Sequence, residues 1–199
     1  EDGIRDLVRS RGLGDVYKRQ ILFFKLRRLT MALLTVHTFP DPVLKQKALP
    51  VDEFDEKLSE LAENMLETMY EERGIGLAAV QVAVLKQLVV IELKTGEEDI
   101  SLRKPRVFVN PRIVDRSGET ISEEGCLSVT EFRAEVKRSE SIKLQYQDLQ
   151  GNPQTLEADG LLSICIQHEL DHLQGILFID HLPLLKQKMV KKRLVKLAS

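Results

Sequence analysis

The chain has 199 residues, 43% of them apolar and 30% charged, with a formal net charge of 29 − 31 = −2. That balance is globular, excludes a polyanion binder driven by overall charge, and leaves enough length for one domain with its own core. Two cysteines cannot make a disulfide framework, no apolar run approaches the roughly 18–20 residues that span a bilayer, and the absence of Trp beside three Tyr and seven Phe leaves no aromatic platform for nucleic-acid bases. The expectation is a cytoplasmic protein that binds neither DNA nor membrane.

Residues 1–30 carry scattered charge and no period. Ile21–Phe24 is too short for a signal-peptide core and precedes, rather than follows, the basic residues Lys25, Arg27 and Arg28. The run Asp15–Gln20 resembles the translation of a transposon end used in preparing sequencing libraries. Residues 1–30 are therefore expected to be a non-native or disordered extension, and residues 31–199 a single domain beginning at Met31.

Phe39–Pro42 and Leu49–Pro50 punctuate an extended opening. Phe54, Leu58, Leu61, Met65 and Met69 then recur at helical steps, which predicts an amphipathic helix with Asp52 as N-cap and Gly74 as its stop. Its other face is acidic (Glu56, Glu60, Glu63, Glu67, Glu71) and reads as solvated. Between Gly74 and Ala158 the pattern changes to strands. Leu88–Ile91 and Val107–Val109 are short apolar runs, Ile142, Leu144 and Tyr146 alternate, and a turn at Gln150–Pro153 leads into a strand near Thr155–Ala158. From Asp159 the apolar period of Leu161, Leu162, Cys165, Ile166 and Leu173 predicts a second helix ending at Gly175. Beyond Pro183 lies a basic segment, Leu184–Leu197, in which Val190, Leu194 and Leu197 fall at helical spacing. The fold class expected is α+β: mostly antiparallel strands around a central helix, with an N-terminal amphipathic helix and a C-terminal basic one.

The second helix contains His168-Glu-Leu-Asp-His172, an HExxH pattern. Side chains four apart share a helix face, roughly 6 Å apart along the axis, so two imidazoles can close on one cation and Glu169 can touch its water. A third donor is needed. Gly175 matches the extension of one protease class, but position 178 is Phe and His181 comes three residues late; no Glu follows Glu169, leaving acids such as Asp180. Cys165 is about 7–8 Å from such a cation along the axis, beyond a short side chain, and reads as core or pocket lining. Cys126, in Glu123-Glu-Gly-Cys-Leu-Ser128, is the better donor, and Cys-His-His with an open fourth position is a catalytic type of site.

Three segments in order, Gly74-Ile-Gly-Leu-Ala-Ala-Val-Gln81, Glu124-Gly-Cys-Leu-Ser128 and Gln167-His-Glu-Leu-Asp-His-Leu-Gln-Gly175, resemble the peptide deformylase family from about Met31 to the C-terminus. One departure is Thr130-Glu131, where the family often has a proline-containing turn. The resemblance implies a metal-dependent hydrolase that removes the formyl group from the N-terminal formylmethionine of nascent chains. It assigns Cys126, His168 and His172 as ligands of one divalent ion, ferrous iron first and zinc second. Glu169 becomes the general acid/base for a metal-activated water. The Gln81 amide and the Leu127 backbone N–H hold the oxyanion. The segment Gly74, Ile75 and Gly76 receives the peptide by strand addition, Ile75, Ile164 and Cys165 line the methionine pocket, and Arg133 lies near the substrate backbone. The alternatives are a non-catalytic relative that binds peptide N-termini and a zinc endopeptidase. For the basic C-terminal segment two readings stand, a plain solvated helix face and contact with the ribosome.

Overall fold

The computed structural model describes residues 32–93 and 104–198; the expectation for residues 1–30 lies outside them. The chain divides into two units, Glu1–Ala32 and Leu33–Ser199, and the architecture below is that of the second.

Helix α1 spans Glu56–Glu71. Its N-cap is Asp55, whose carboxylate accepts the Leu58 N–H at 3.0 Å, and not Asp52 as expected. The reason is long-range: the Asn110 amide bonds both the N–H and the C=O of Val51, which keeps the chain extended before the helix. At the other end the left-handed residue is Arg73 (φ 58°), with its N–H on Tyr70 C=O and the Gly74 N–H on Met69 C=O. Gly74 therefore follows the stop; its lack of a side chain serves space, since a Cβ there would meet Leu127 at 2.9 Å.

Five strands, β1 (Gly76–Ala78), β2 (Leu88–Ile91), β3 (Arg106–Ser117), β6 (Ser141–Gln147) and β7 (Pro153–Asp159), form one antiparallel sheet in the order β1-β2-β3-β6-β7. The remaining two, β4 (Thr120–Cys126) and β5 (Val129–Arg138), make a separate hairpin. The arrangement is mixed helix and antiparallel sheet. Helix α2 (Gly160–Leu173) covers one face of the sheet. Helix α1 covers the other.

This explains why Leu88–Ile91 is apolar without alternation. Val89 and Ile91 face the core that holds Ile166 and Leu173, whereas Leu88 and Val90 face the core that holds Leu58, Met65 and Met69. Helix α2 ends in a Schellman pattern: the Ile176 N–H reaches Asp171 C=O at 2.9 Å and the Gly175 N–H reaches His172 C=O at 3.0 Å. Gly175 is left-handed (φ 72°), and a Cβ there would lie 2.5 Å from the Lys45 carbonyl oxygen. Leu161, expected in the apolar period of this helix, is instead 54% exposed.

A third core joins the hairpin to a 3-10 turn (Phe178–His181) and to helix α3 (Leu184–Ala198), with Val136, Phe178, Ile179, Val190 and Leu194 buried together. Leu197, expected on the packed face of α3, is 58% exposed. Thr130 and Glu131 are exposed positions of β5, so the departure from the family pattern is accommodated within a strand. Among the described residues no helix is long and apolar enough to cross a membrane.

Candidate metal centre

The second half of α2 presents His168 and His172 side by side, with ring centroids 5.0 Å apart. Strand β4 ends at Cys126, which the β4–β5 turn brings against them. One donor atom from each of Cys126, His168 and His172 lies within 4.8 Å of the others, and the Cys126 sulfur is 3.1 Å from His172 Nε2. Cys165 is not in this group. It is buried, and burial pushes its thiol well above the usual range, so it stays a neutral thiol.

The surroundings act on the two imidazoles in opposite directions. His168 Nδ1 is taken by Glu124 Oε2 at 2.8 Å, which leaves Nε2 for the centre. Glu124 is itself held by Arg138 through two bonds, Nε to Oε1 at 2.7 Å and Nη2 to Oε2 at 3.0 Å. Burial would raise the Glu124 carboxyl, but bonds from Arg138 and His168 outweigh it and hold its pKa at about 2. Burial would make His168 neutral, yet the neighbouring Cys126 sulfur and Glu124 carboxylate raise it well above the ordinary imidazole value. His172 is driven the other way, chiefly by burial, and is a neutral ring able to donate a lone pair. One thiolate and two imidazoles suit zinc or ferrous iron, so the residues present fit a divalent ion.

Glu169 stands beside this group. Its carboxyl is buried, its Oε2 has no hydrogen-bond partner, and burial pushes its pKa up to about 7. Gly76 makes the room for it, because a Cβ there would sit 2.4 Å from Glu169 Oε1. Gln81 lies in the 3-10 turn that follows β1. Its Oε1 accepts the Ala78 N–H at 2.8 Å, which fixes the amide so that Nε2 points to Ser128 Oγ (3.1 Å) and the Cys126 sulfur (3.7 Å).

These groups open on a cleft of about 500 Å³. Gly74, Ile75, Gly76, Gln81, Cys126, Leu127, Arg133, Ile164, Cys165, His168 and Glu169 all line it, and His172 stands behind the others at 1% exposure. Sequence reasoning gave no role to Ser128, to Leu161 and Arg73 at the cleft, or to the buried Glu124–Arg138 pair. Glu124 had a local signal, an acid two residues before the cysteine on the same strand. Arg138 had none, since only the pairing of β4 with β5 and the packing of α2 bring it there.

A thiol, two imidazoles and a buried carboxyl around one cleft fit the class of metal-dependent hydrolases. Comparison narrows the class. Residues 33–188 match the family model for polypeptide deformylase. Peptide deformylase 2 of Xanthomonas axonopodis pv. citri is 50% identical, over 83% of this chain and 96% of that protein. The peptide deformylase of Brucella suis is 48% identical, over 85% and 95%. Among solved structures, peptide deformylase from Legionella pneumophila superposes with a TM-score of 0.76 at 41% identity, covering 84% of this chain and 96% of that one. A peptide deformylase from Synechococcus elongatus in complex with actinonin gives 0.74 at 42% identity, over 80% and 86%. The chain is an enzyme and belongs to the polypeptide deformylase family.

Proposed function

We propose that this enzyme removes the formyl group from the N-terminal formylmethionine of nascent polypeptides, with Cys126, His168 and His172 holding one divalent ion, ferrous iron before zinc. The observation that carries the reading is the convergence of those three donors beside the buried carboxyl of Glu169, whose Oε2 has no hydrogen-bond partner. When bound, the metal supplies Lewis-acid activation of a water and of the formyl carbonyl.

The protein groups do the rest. Water adds to the formyl carbon, the C–N bond breaks, and formate and a free amine leave. Glu169 takes the proton of the attacking water and returns it to the departing nitrogen, a task suited to a carboxyl near pKa 7. The Gln81 amide, already turned by the Ala78 N–H, and the Leu127 N–H donate to the oxygen as it gains charge. The peptide runs along Gly74–Gly76 by strand addition, and β1 is an edge strand of its sheet. Ile75, Ile164 and Cys165 surround the methionine side chain at the cleft, and Arg133 lies beside the peptide backbone.

The test is hydrolysis of a formyl-Met peptide by metal-loaded protein, with metal analysis. Formate release in proportion to bound metal supports the reading. Metal-loaded protein that binds the peptide without turnover points to a non-catalytic relative, and cleavage of internal peptide bonds to an endopeptidase.

We also propose that α3 contacts ribosomal RNA. Lys186, Lys188, Lys191, Lys192, Arg193 and Lys196 lie on it with no acid between Leu184 and Ser199. Val190 and Leu194 anchor its inner face.

A further inference from the structure

The Glu124–Arg138 pair does not end at the metal centre. Arg138 Nη1 donates to Asp171 Oδ2 at 2.6 Å, and His181 Nε2 meets the same oxygen at 2.7 Å. Asp171 Oδ2 is ion-paired with the Arg138 guanidinium, and a carboxylate in such a pair accepts, so His181 Nε2 is placed as a donor to the same oxygen. A chain of four contacts therefore runs from the half-exposed His181, at the end of the Phe178–His181 turn, through Asp171, Arg138 and Glu124 to the His168 ring.

Two oxygens in this chain are shared. Asp171 Oδ2 carries both His181 and Arg138. Glu124 Oε2 carries both Arg138 and His168. The guanidinium is gripped twice by Glu124 and once by Asp171. Two bonds to one carboxylate already set the plane of the guanidinium against Glu124; the third, on Nη1, holds the joined Arg138–Glu124 unit from the far side. A shift of that unit is a shift of Glu124 Oε2, the partner of His168 Nδ1. Asp171 is partly exposed, and of the two groups that hold its Oδ2 Arg138 is the buried one and His181 the one nearer solvent.

We propose that His181 is a positioning residue for the metal centre, acting through Asp171, Arg138 and Glu124 to set the orientation of the His168 imidazole. This rests on the reading that Cys126, His168 and His172 hold the ion.

The test uses the full chain loaded with cobalt(II), a spectroscopic stand-in for the native ion. The parent, His181→Ala, His181→Gln and Asp180→Asn are compared in visible absorption, rate of cobalt loss to EDTA, and Tm. Removing a direct outer partner of a metal ligand costs about 10–100-fold in affinity, so a group several contacts away is expected to speed cobalt loss by about three- to tenfold. His181→Ala should show that acceleration and a changed cobalt spectrum. His181→Gln, which keeps a donor at the Nε2 position, should restore both. Asp180→Asn lies in the same turn but bonds Lys45 and Lys191, so it should lower Tm and leave spectrum and release unchanged.

His181→Ala with the parent's spectrum and release rate overturns the proposal. So does equal disturbance by Asp180→Asn, which would make the effect a general loosening of the turn. A parent that shows no thiolate-to-cobalt band overturns the metal reading itself, and this proposal with it.

Discussion

Gly76→Ala is the most severe small change the site offers. The added Cβ falls 2.4 Å from Glu169 Oε1 and 2.9 Å from the Cys165 sulfur. Ordinary contact starts at 3.4 Å, so the carboxyl must retreat by 3.4 − 2.4 = 1.0 Å. A misplacement of about 1 Å costs on the order of 10²-fold in turnover. Forcing a methyl into a packed site also costs about 1–3 kcal/mol, which for a chain of this size lowers Tm by about 2–12 °C. The three atoms nearest the new methyl belong to Glu169 and Cys165, so Cys126, His168 and His172 should retain their metal. The assay is kcat for formate release from a formyl-Met peptide, with metal content and thermal melting on the same preparation. Metal-loaded Gly76→Ala with unchanged kcat would refute the placing of the Glu169 carboxyl at the chemistry. A raised KM with intact kcat would assign Gly76 to the approach of the peptide backbone alone.

The other expectations are quicker to check. Glu169→Gln keeps shape and ligands but cannot accept a proton, so it should hold its metal in elemental analysis and lose about 10²–10⁴-fold or more in kcat. Cys126→Ala should lose both metal and activity, whereas Cys165→Ala should keep both with a modest fall in Tm; the opposite pattern in metal analysis would reverse the ligand assignment. Burial raises the Asp180 carboxyl, but bonds from Lys191 and Lys45 and the Leu177 N–H outweigh it and hold its pKa below the ordinary 3.8. A depressed folded value stabilises above the unfolded pKa and is lost as pH falls through the folded one, so urea melts should show parent and Asp180→Asn converging as pH drops below about 4. For α3, co-sedimentation with ribosomes should weaken steeply as salt rises, and a chain ending near Pro183, once shown to fold, should bind less; equal binding by both would leave the helix as plain charged surface.

What was legible in the sequence was what local spacing encodes. The antiparallel α+β class followed from short apolar runs between turn residues, because the period of a strand or helix is written within ten residues. The pairing of the two imidazoles on α2 was legible for the same reason: His168 and His172 are one turn apart whatever else the chain does. Caps were less so. Asp52 and Asp55 are both competent N-caps, and the choice is made by Asn110, which comes from β3 to hold Val51 extended. Gly74 carried the signal of a helix stop, yet Arg73 takes the left-handed position, and the missing side chain at Gly74 instead leaves room for Leu127 from the turn of the hairpin.

The least legible feature is the buried charge that supports the centre. Glu124, Arg138, Asp171 and His181 are spread over more than fifty residues, and no period links them. They meet because β4 and β5 are neighbouring strands, with Glu124 opposite Ala134 and the long Arg138 side chain four residues further along β5, and because α2 and the turn after it close over that hairpin. A guanidinium buried with two carboxylates is costly unless each bond is made, and here each is: three nitrogens of Arg138 reach Glu124 or Asp171 within 3.0 Å. The same bonds fix the Nδ1 side of His168 and leave its Nε2 turned to Cys126 and His172. The helix thus presents the imidazoles, but the hairpin decides how one of them is held, and a motif confined to the helix carries no trace of that.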